Sequence, residues 1–129
     1  MARTPRFQLV DSANGTRWRL LGGNNLSLGG SAGTFRDATE CAGAILRLRA
    51  TVAGLTAEFS HTSGGSWRWL LYADAELVAV AGRGYGRKVE ARQGLDRFRA
   101  AVPVAGLPGE ERIADWRTKY RMDTRPGSR

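Results

Sequence analysis

The chain has 129 residues, 42% of them apolar and 25% charged, which is typical of one soluble globular domain or two very small ones packed together. No window approaches the roughly 20 apolar residues of a membrane span, and the N-terminal residues lack the apolar stretch of a secretory signal, so we expect a cytoplasmic location. Cys41 is the only cysteine, which excludes an intrachain disulfide.

Arginine dominates the basic residues. The net charge is +8, and among the 20 basic residues only Lys88 and Lys119 are lysines. A positive field would assist binding to nucleic acid or to an anionic surface. The excess of basic over acidic residues is spread along the chain, however. Such a diffuse positive charge more often serves solubility or reflects the arginine-rich composition that a GC-rich genome encodes. The charge alone therefore leaves both interpretations open.

Three strands and a helix are predicted in the first part of the chain. Phe7–Val10 and Arg17–Leu20 flank an Asn-Gly turn signal, which indicates a hairpin. We expect a third strand at Leu26–Leu28 and a flexible loop over 29–34. Asp37 and the glutamate three residues later have the spacing of a capping box, so a helix should begin near Asp37.

The first helix should bury one apolar face. Four residues recur at the spacing of a single helical face: Cys41, Ile45, Leu48 and Val52. Arg47 and Arg49 are predicted to lie on the opposite face.

The same plan recurs about 50 residues later. Phe59, Trp69, Leu71 and Tyr85 correspond to Phe7, Trp18, Leu20 and Phe35, at offsets that shrink from 52 to 50. On the second helix, Ala91, Leu95, Phe98 and Val102 correspond to the first helical face at a constant offset of 50. Pro103 ends that helix. A period near 50 residues indicates duplicated units, and we predict one unit over 6–54, a second over 57–106 and a C-terminal extension over 107–129.

The second unit resembles a known family. The residues that carry the resemblance are Trp67-Arg68-Trp69-Leu70, the turn Asp74-Ala75-Glu76, the pair Gly84-Tyr85, and Gly94, Leu95 and Phe98 on the helix. They resemble the YegP-like family, a domain of unknown function, and the resemblance covers about residues 6–105, clear in the second unit and weaker in the first. The resemblance implies an α+β fold in which two tandem β-β-β-α repeats form an antiparallel sheet, with two helices packed on one face and a short C-terminal extension. It implies no catalytic residues.

Two positions depart from the pattern of that family. The small polar residue at the start of the second helix is replaced by Arg87, so this helix is expected to lack its cap. The first unit has Thr34-Phe35 where the family pattern has Gly-Tyr.

No catalytic or metal-binding constellation is visible. His61 is the only histidine, and with Cys41 it falls short of the three or four ligands of a usual metal site. A Cys41–His61 nucleophilic pair is conceivable, but Cys41 is expected to pack in the core. The glycine-rich run 82–86 lacks the third glycine of a dinucleotide loop and is not followed by a Walker lysine-serine pair. We therefore expect no metal, no cofactor and no enzymatic activity.

Two basic regions are candidates for binding. Arg83, Arg87 and Lys88 surround the N-terminus of the second helix, whose free N–H groups favour anions. If the tryptophans face the helices, strand alternation places another set on the opposite face of the sheet: Arg17, Arg19, Arg68, Leu70 and Tyr72. Such a face suits RNA or a single strand, and it suits another protein or a second copy of the chain equally well.

Three classes of function follow from these features. The first is a non-enzymatic protein-interaction or structural module that self-associates through sheet faces or edges. The second is a nucleic-acid or anion binder, and the third, which the missing catalytic constellation disfavours, is an enzyme. In the extension, Ile113, Trp116 and Tyr120 predict a short helix, and 124–129 is predicted to be disordered.

Overall fold

Three strands followed by a helix occur twice within residues 4–108, the part of the chain that the computed structural model describes. The first set is β1 Arg6–Ser12, β2 Gly15–Leu21, β3 Ser27–Ser31 and α1 Ala38–Thr51. The second set is β4 Thr56–His61, β5 Trp67–Ala73, β6 Glu76–Ala81 and α2 Lys88–Ala101. A short 3-10 turn follows each helix, at Val52–Gly54 and Val102–Val104. The helix predicted around Ile113, Trp116 and Tyr120 and the disorder predicted over 124–129 lie outside the described residues.

The strands form one six-stranded sheet in the order β1-β2-β3-β6-β5-β4, and all neighbours are antiparallel. The third strand of each half meets at the centre, where Gly30 pairs with Val80. After α2 the chain returns to the start of β1, and the Phe7 N–H donates to the Gly106 carbonyl at 2.9 Å. The predicted α+β class is confirmed. No helix within residues 4–108 combines the length and apolar character needed to cross a membrane.

The core lies between one face of the sheet and the two helices. Trp18 of β2 and Trp69 of β5 point into it and are almost completely buried. Phe98 of α2 contacts both rings, with centroid distances of 6.3 Å to Trp18 and 4.6 Å to Trp69. The predicted apolar faces of both helices are buried here as well. Hydrophobic periodicity thus predicted which side chains form the core.

The third strand differs from the prediction. It spans Ser27–Ser31 rather than Leu26–Leu28, so Gly29 and Gly30 belong to the sheet and not to a flexible loop. A Cβ atom at Gly29 would lie 2.7 Å from the Phe98 ring and 2.8 Å from Trp69. Glycine at this position therefore lets the two aromatic rings approach the strand closely, and the prediction of a loop was wrong because glycine is also the signal of a turn.

Arg49 was also misplaced by the sequence pattern. Its Nη2 donates to the Ala105 carbonyl at 3.0 Å, and on α2 the Arg99 Nη2 donates to the Leu55 carbonyl at 2.7 Å. Each helix is thereby tied to the segment that follows the other helix. Periodicity placed Arg49 opposite the core, but a long arginine stem can run along apolar surface and carry its guanidinium to a distant carbonyl. Arg47, by contrast, is exposed.

Arg99→Met is expected to lower the free energy of unfolding by about 1–3 kcal/mol, since it removes a charged hydrogen-bond donor from the buried Leu55 segment. Arg49→Met should have a similar effect at Ala105. Urea denaturation measures both. Arg47→Met is the matched control, because it removes an exposed helical arginine. If Arg99→Met lowers the free energy of unfolding no more than this control does, the hydrogen bond of Arg99 to Leu55 does not stabilise the fold.

Candidate anion-binding groove

The loop between β6 and α2 is fixed to the sheet by its aromatic residue. Tyr85 and Trp67 exchange two backbone hydrogen bonds, each of 2.7 Å. The Tyr85 side chain is 7% exposed, and its ring lies directly against α2, where a Cβ atom at Gly94 would be 2.6 Å from the phenol carbon Cζ. The loop therefore has a defined path where it carries Arg83, two residues before Tyr85.

Arg83 is positioned by this tyrosine. The carbon at the centre of its guanidinium lies 4.8 Å from the centroid of the Tyr85 ring. A cation over an aromatic face gains electrostatic attraction, and stacking leaves the N–H donors at the edge of the guanidinium plane available to a ligand. Arg83 forms no ion pair with a residue in the described part of the chain.

A surface groove of about 820 Å³ opens beside Arg83. It lies between the β2–β3 turn, the β6–α2 loop and α2, and Arg97 of α2 contributes a second guanidinium. The other lining residues are Pro5, Gly22, Gly23, Asn24, Leu26, Ser27, Leu28 and Tyr85. Among residues 4–108 no acidic side chain lines the groove, and Arg97, like Arg83, lacks an ion pair there. We call this the anion groove.

A second groove, of about 440 Å³, occupies the corresponding place in the other half of the fold. Its lining includes residues that stand 50 positions from those of the anion groove: Gly33 for Arg83, Phe35 for Tyr85, Arg47 for Arg97 and Glu76 for Leu26. The anion groove thus has two arginines and no acid among its described lining, whereas the second groove has one arginine and one glutamate. Only the first has a net positive lining.

The other two cations of the predicted loop site are engaged elsewhere. The Glu90 carboxylate accepts from the backbone N–H of Arg87 at 3.2 Å and from its Nη2 at 3.3 Å. The Arg87 side chain has no acceptor and cannot cap the helix itself, as predicted, but Glu90 supplies the reciprocal half of a capping box. The Lys88 Nζ lies 5.6 Å from the Phe59 ring centroid and 5.7 Å from that of Trp67. Of the three predicted residues, only Arg83 lines the anion groove.

Arg97 was missed by the sequence analysis. Its groove is assembled from four separate segments, so no local motif marks it. One signal was available, because Arg97 corresponds to Arg47 at the same offset of 50 as the core residues of the two helices. Both halves therefore have an arginine at this helical position, and only the second half has a further cation, Arg83, at the loop position that Gly33 occupies in the first half.

The predicted basic sheet face exists as a surface opposite the helices. Arg17, Arg19 and Arg68 are exposed on it, and Tyr72 is partly buried. The Arg19 Nε donates to the Gln8 Oε1 at 2.6 Å, and the Arg68 Nη1 donates to the Ala81 carbonyl at 3.3 Å. Arg17 and Arg68 lie on strands separated by β3 and β6. Their role in binding stays a prediction.

Cys41 does not have the properties of a catalytic nucleophile. Burial, and secondarily the negative charge of Asp11, raises the pKa of the Cys41 thiol to about 11. The thiol is therefore protonated at neutral pH, where the thiolate is the reactive form. His61 is exposed on β4, and its ring stacks on Trp67 at 4.5 Å. Residues 4–108 contain no group of three or more His, Cys, Asp or Glu side chains that could hold a metal ion.

Comparison with solved structures reveals the same architecture in two proteins. One is yegP from E. coli, a protein of unknown function, with a TM-score of 0.68 and 18% identity over 83% of this chain and 93% of that chain. The chain shares the YegP-like fold. The other is the UPF0339 protein SO3888 from Shewanella oneidensis, with a TM-score of 0.64 and 14% identity over 81% of this chain and 89% of that chain. No protein-family model and no curated protein sequence matches the chain. The YegP-like fold agrees with the family that the sequence resembles.

Proposed function

We propose that this protein is a non-enzymatic binding protein that holds a phosphate-bearing chain, single-stranded nucleic acid, in the anion groove. The observation that carries the proposal is that Arg83 and Arg97 line one groove whose described lining contains no acid, while the lining of the equivalent groove is neutral. Guanidinium groups match phosphate oxygens in geometry as well as in charge.

The shape and the remaining lining of the anion groove favour a polymer. The groove is open to the surface rather than enclosed, so a segment of a longer chain can lie in it. Asn24 and Ser27 offer polar groups beside the two arginines, and Leu26 exposes 60% of its surface at the rim, where it can contact a sugar or a base. The net charge of +8 supplies long-range attraction for a polyanion.

We also propose that 6–54 and 57–106 are two copies of one unit, with 107–129 as an extension, in a cytoplasmic protein. Register shifts at equivalent places support the duplication, since they fall between Leu20 and Leu21 in β2 and between Leu71 and Tyr72 in β5. The buried, protonated thiol of Cys41 supports a role other than catalysis.

Arg97→Ala is expected to weaken the binding of a fluorescein-labelled single-stranded oligonucleotide about threefold to tenfold, with no preference among sequences. One lost phosphate contact should also reduce the slope of log K against log salt by about 0.7. Fluorescence anisotropy between about 25 and 200 mM salt measures both quantities. Arg83→Ala should behave in the same way.

Arg47→Ala is the control for this experiment, because it removes the same charge from the equivalent position of the neutral groove. It should change the affinity less than twofold. Absence of binding at 25 mM salt would refute the proposed function, and equal losses for Arg97→Ala and Arg47→Ala would show that net charge rather than the groove attracts the oligonucleotide.

A further inference from the structure

One row of side chains crosses the whole open face of the sheet. The strand register places six residues in line from β1 to β4: Gln8, Arg19, Gly30, Val80, Leu70 and Glu58. Their strand neighbours, such as Trp18, Ala79 and Trp69, are in the core, so alternation directs this row away from the helices. The helices leave this row uncovered.

The row is complementary to itself. Consider a two-fold axis that runs parallel to the strands and passes over Val80, with a second copy packed face to face. Val80 then meets Val80 of the second copy, Leu70 lies over the gap at Gly30, and Glu58 lies opposite Arg19, because each pair is equally far from Val80 in the row. We infer that this face binds a second copy of the chain in this register.

The charged pair has the groups that the contact needs. Arg19 uses its Nε to bind Gln8, which leaves both Nη groups for a carboxylate. Glu58 is exposed and forms no ion pair with a residue of the described part. Because the axis is two-fold, the contact of Arg19 with Glu58 forms twice, as in any isologous dimer.

The centre of the row is apolar and only partly exposed. Val80 and Leu70 each keep part of their side chains in contact with solvent. In this register β1 of each copy lies outside the contact, so the shared face is five strands wide. With strands of five to seven residues it covers roughly 400–550 Å² per copy at the usual strand spacing and rise. The total of roughly 800–1,100 Å² falls among weak, transient interfaces, so we expect a dimer that dissociates in the micromolar range.

Sedimentation equilibrium of the full chain between about 1 and 300 µM tests the inference. The mass of the wild type should rise from 14.0 kDa toward twice that value. Arg19→Glu and Glu58→Arg should each raise the dissociation constant at least tenfold, and the double variant R19E/E58R should return it to within threefold of the wild type. Leu70→Ser should also raise it at least tenfold.

Asp96→Arg is the matched control, because it makes the same change in net charge as Glu58→Arg on an exposed position of α2. Circular dichroism confirms that every variant is folded. A wild type that stays at 14.0 kDa at every concentration overturns the inference. A dimer whose dissociation constant is unchanged by the Arg19, Glu58 and Leu70 variants also overturns it, because the contact would then lie elsewhere, for example at the β4 edge. A monomer whose oligonucleotide binding falls on Arg19→Glu would identify the face as a nucleic-acid surface instead.

Discussion

Phe98→Ala is expected to lower the free energy of unfolding by about 3–5 kcal/mol, the range observed when a fully buried aromatic ring is truncated. Phe98 is completely buried and stands between Trp18 and Trp69. Below it lies Gly29, which has no side chain that could move into the space left by the ring. The cavity should therefore stay open, and its cost should fall at the upper end of the range.

Urea denaturation followed by tryptophan fluorescence measures this change, because both neighbouring rings are tryptophans. Phe98→Leu is the informative partner variant, since leucine is the residue at the equivalent position, Leu48, and keeps most of the apolar volume; a loss of less than half that of Phe98→Ala is expected. Val89→Ala, on the exposed side of the same helix, controls for helix propensity. A loss below about 1.5 kcal/mol for Phe98→Ala would show that the ring does not organise the core.

A decrease of about 3–5 kcal/mol would be a large part of the total free energy of unfolding for a chain of this size, since small domains are stable by only about 5–15 kcal/mol. Phe98 also joins parts of the chain that are distant in sequence, because Trp18 and Gly29 come from the first half and Trp69 from the second. The two halves therefore share one core, and we expect both to unfold in the same transition.

The core and the order of elements were predictable from the sequence, because both depend on periodic patterns. Apolar residues recur at helical spacing from Cys41 onward and alternate along the strand around Trp69, and these two periods place them on one buried face of a helix and of a strand. What periodicity does not encode is a close approach between residues far apart in the chain. Gly29 was therefore assigned to a loop, and Arg49 was expected opposite the core, although its guanidinium reaches Ala105.

The candidate site was predictable only in part for the same reason. Arg83 was predicted as one of three cations around the start of α2, and it does line the anion groove. Leu26 comes from the first half and is brought beside Arg83 by the central pairing of β3 with β6, and Arg97 is brought there by the packing of α2. Local clustering instead favoured Arg87 and Lys88, whose charges are directed to Glu90 and to aromatic rings.

The contact of Tyr85 with Gly94 offers a second test with a large expected effect. The Tyr85 hydroxyl occupies the place where a methyl group at position 94 would stand. At the equivalent place in the other half, Ala44 lines a groove together with Phe35, so the larger helical residue occurs with the aromatic residue that lacks the hydroxyl. Gly94→Ala is therefore expected to lower the free energy of unfolding by about 1–3 kcal/mol through overpacking, although alanine favours a helix by about 1 kcal/mol over glycine.

Tyr85→Phe should partly restore the stability of Gly94→Ala. The substitution removes the closest atom, while the ring carbon Cζ, 2.6 Å from the added Cβ, still has to move. The double variant should then be more stable than the sum of the single changes predicts, by about 0.5–2 kcal/mol in a double-mutant cycle measured with urea. Gly43→Ala on α1 is the control, since a Cβ there would meet only the end of the Arg47 side chain at 3.7 Å, and it should be neutral or stabilising. Additive changes would show that Tyr85 and Gly94 are not coupled.

The same variant connects the packing of α2 to the proposed binding site. Arg83 is held over the ring of Tyr85, so a ring displaced by a methyl group at position 94 should carry the guanidinium away from its place in the anion groove. Gly94→Ala is therefore expected to weaken oligonucleotide binding by about as much as Arg83→Ala, even though residue 94 is buried and uncharged. Anisotropy of the folded variant measures this effect, and an unchanged affinity would mean that the stacking of Arg83 on Tyr85 does not determine where its charge lies.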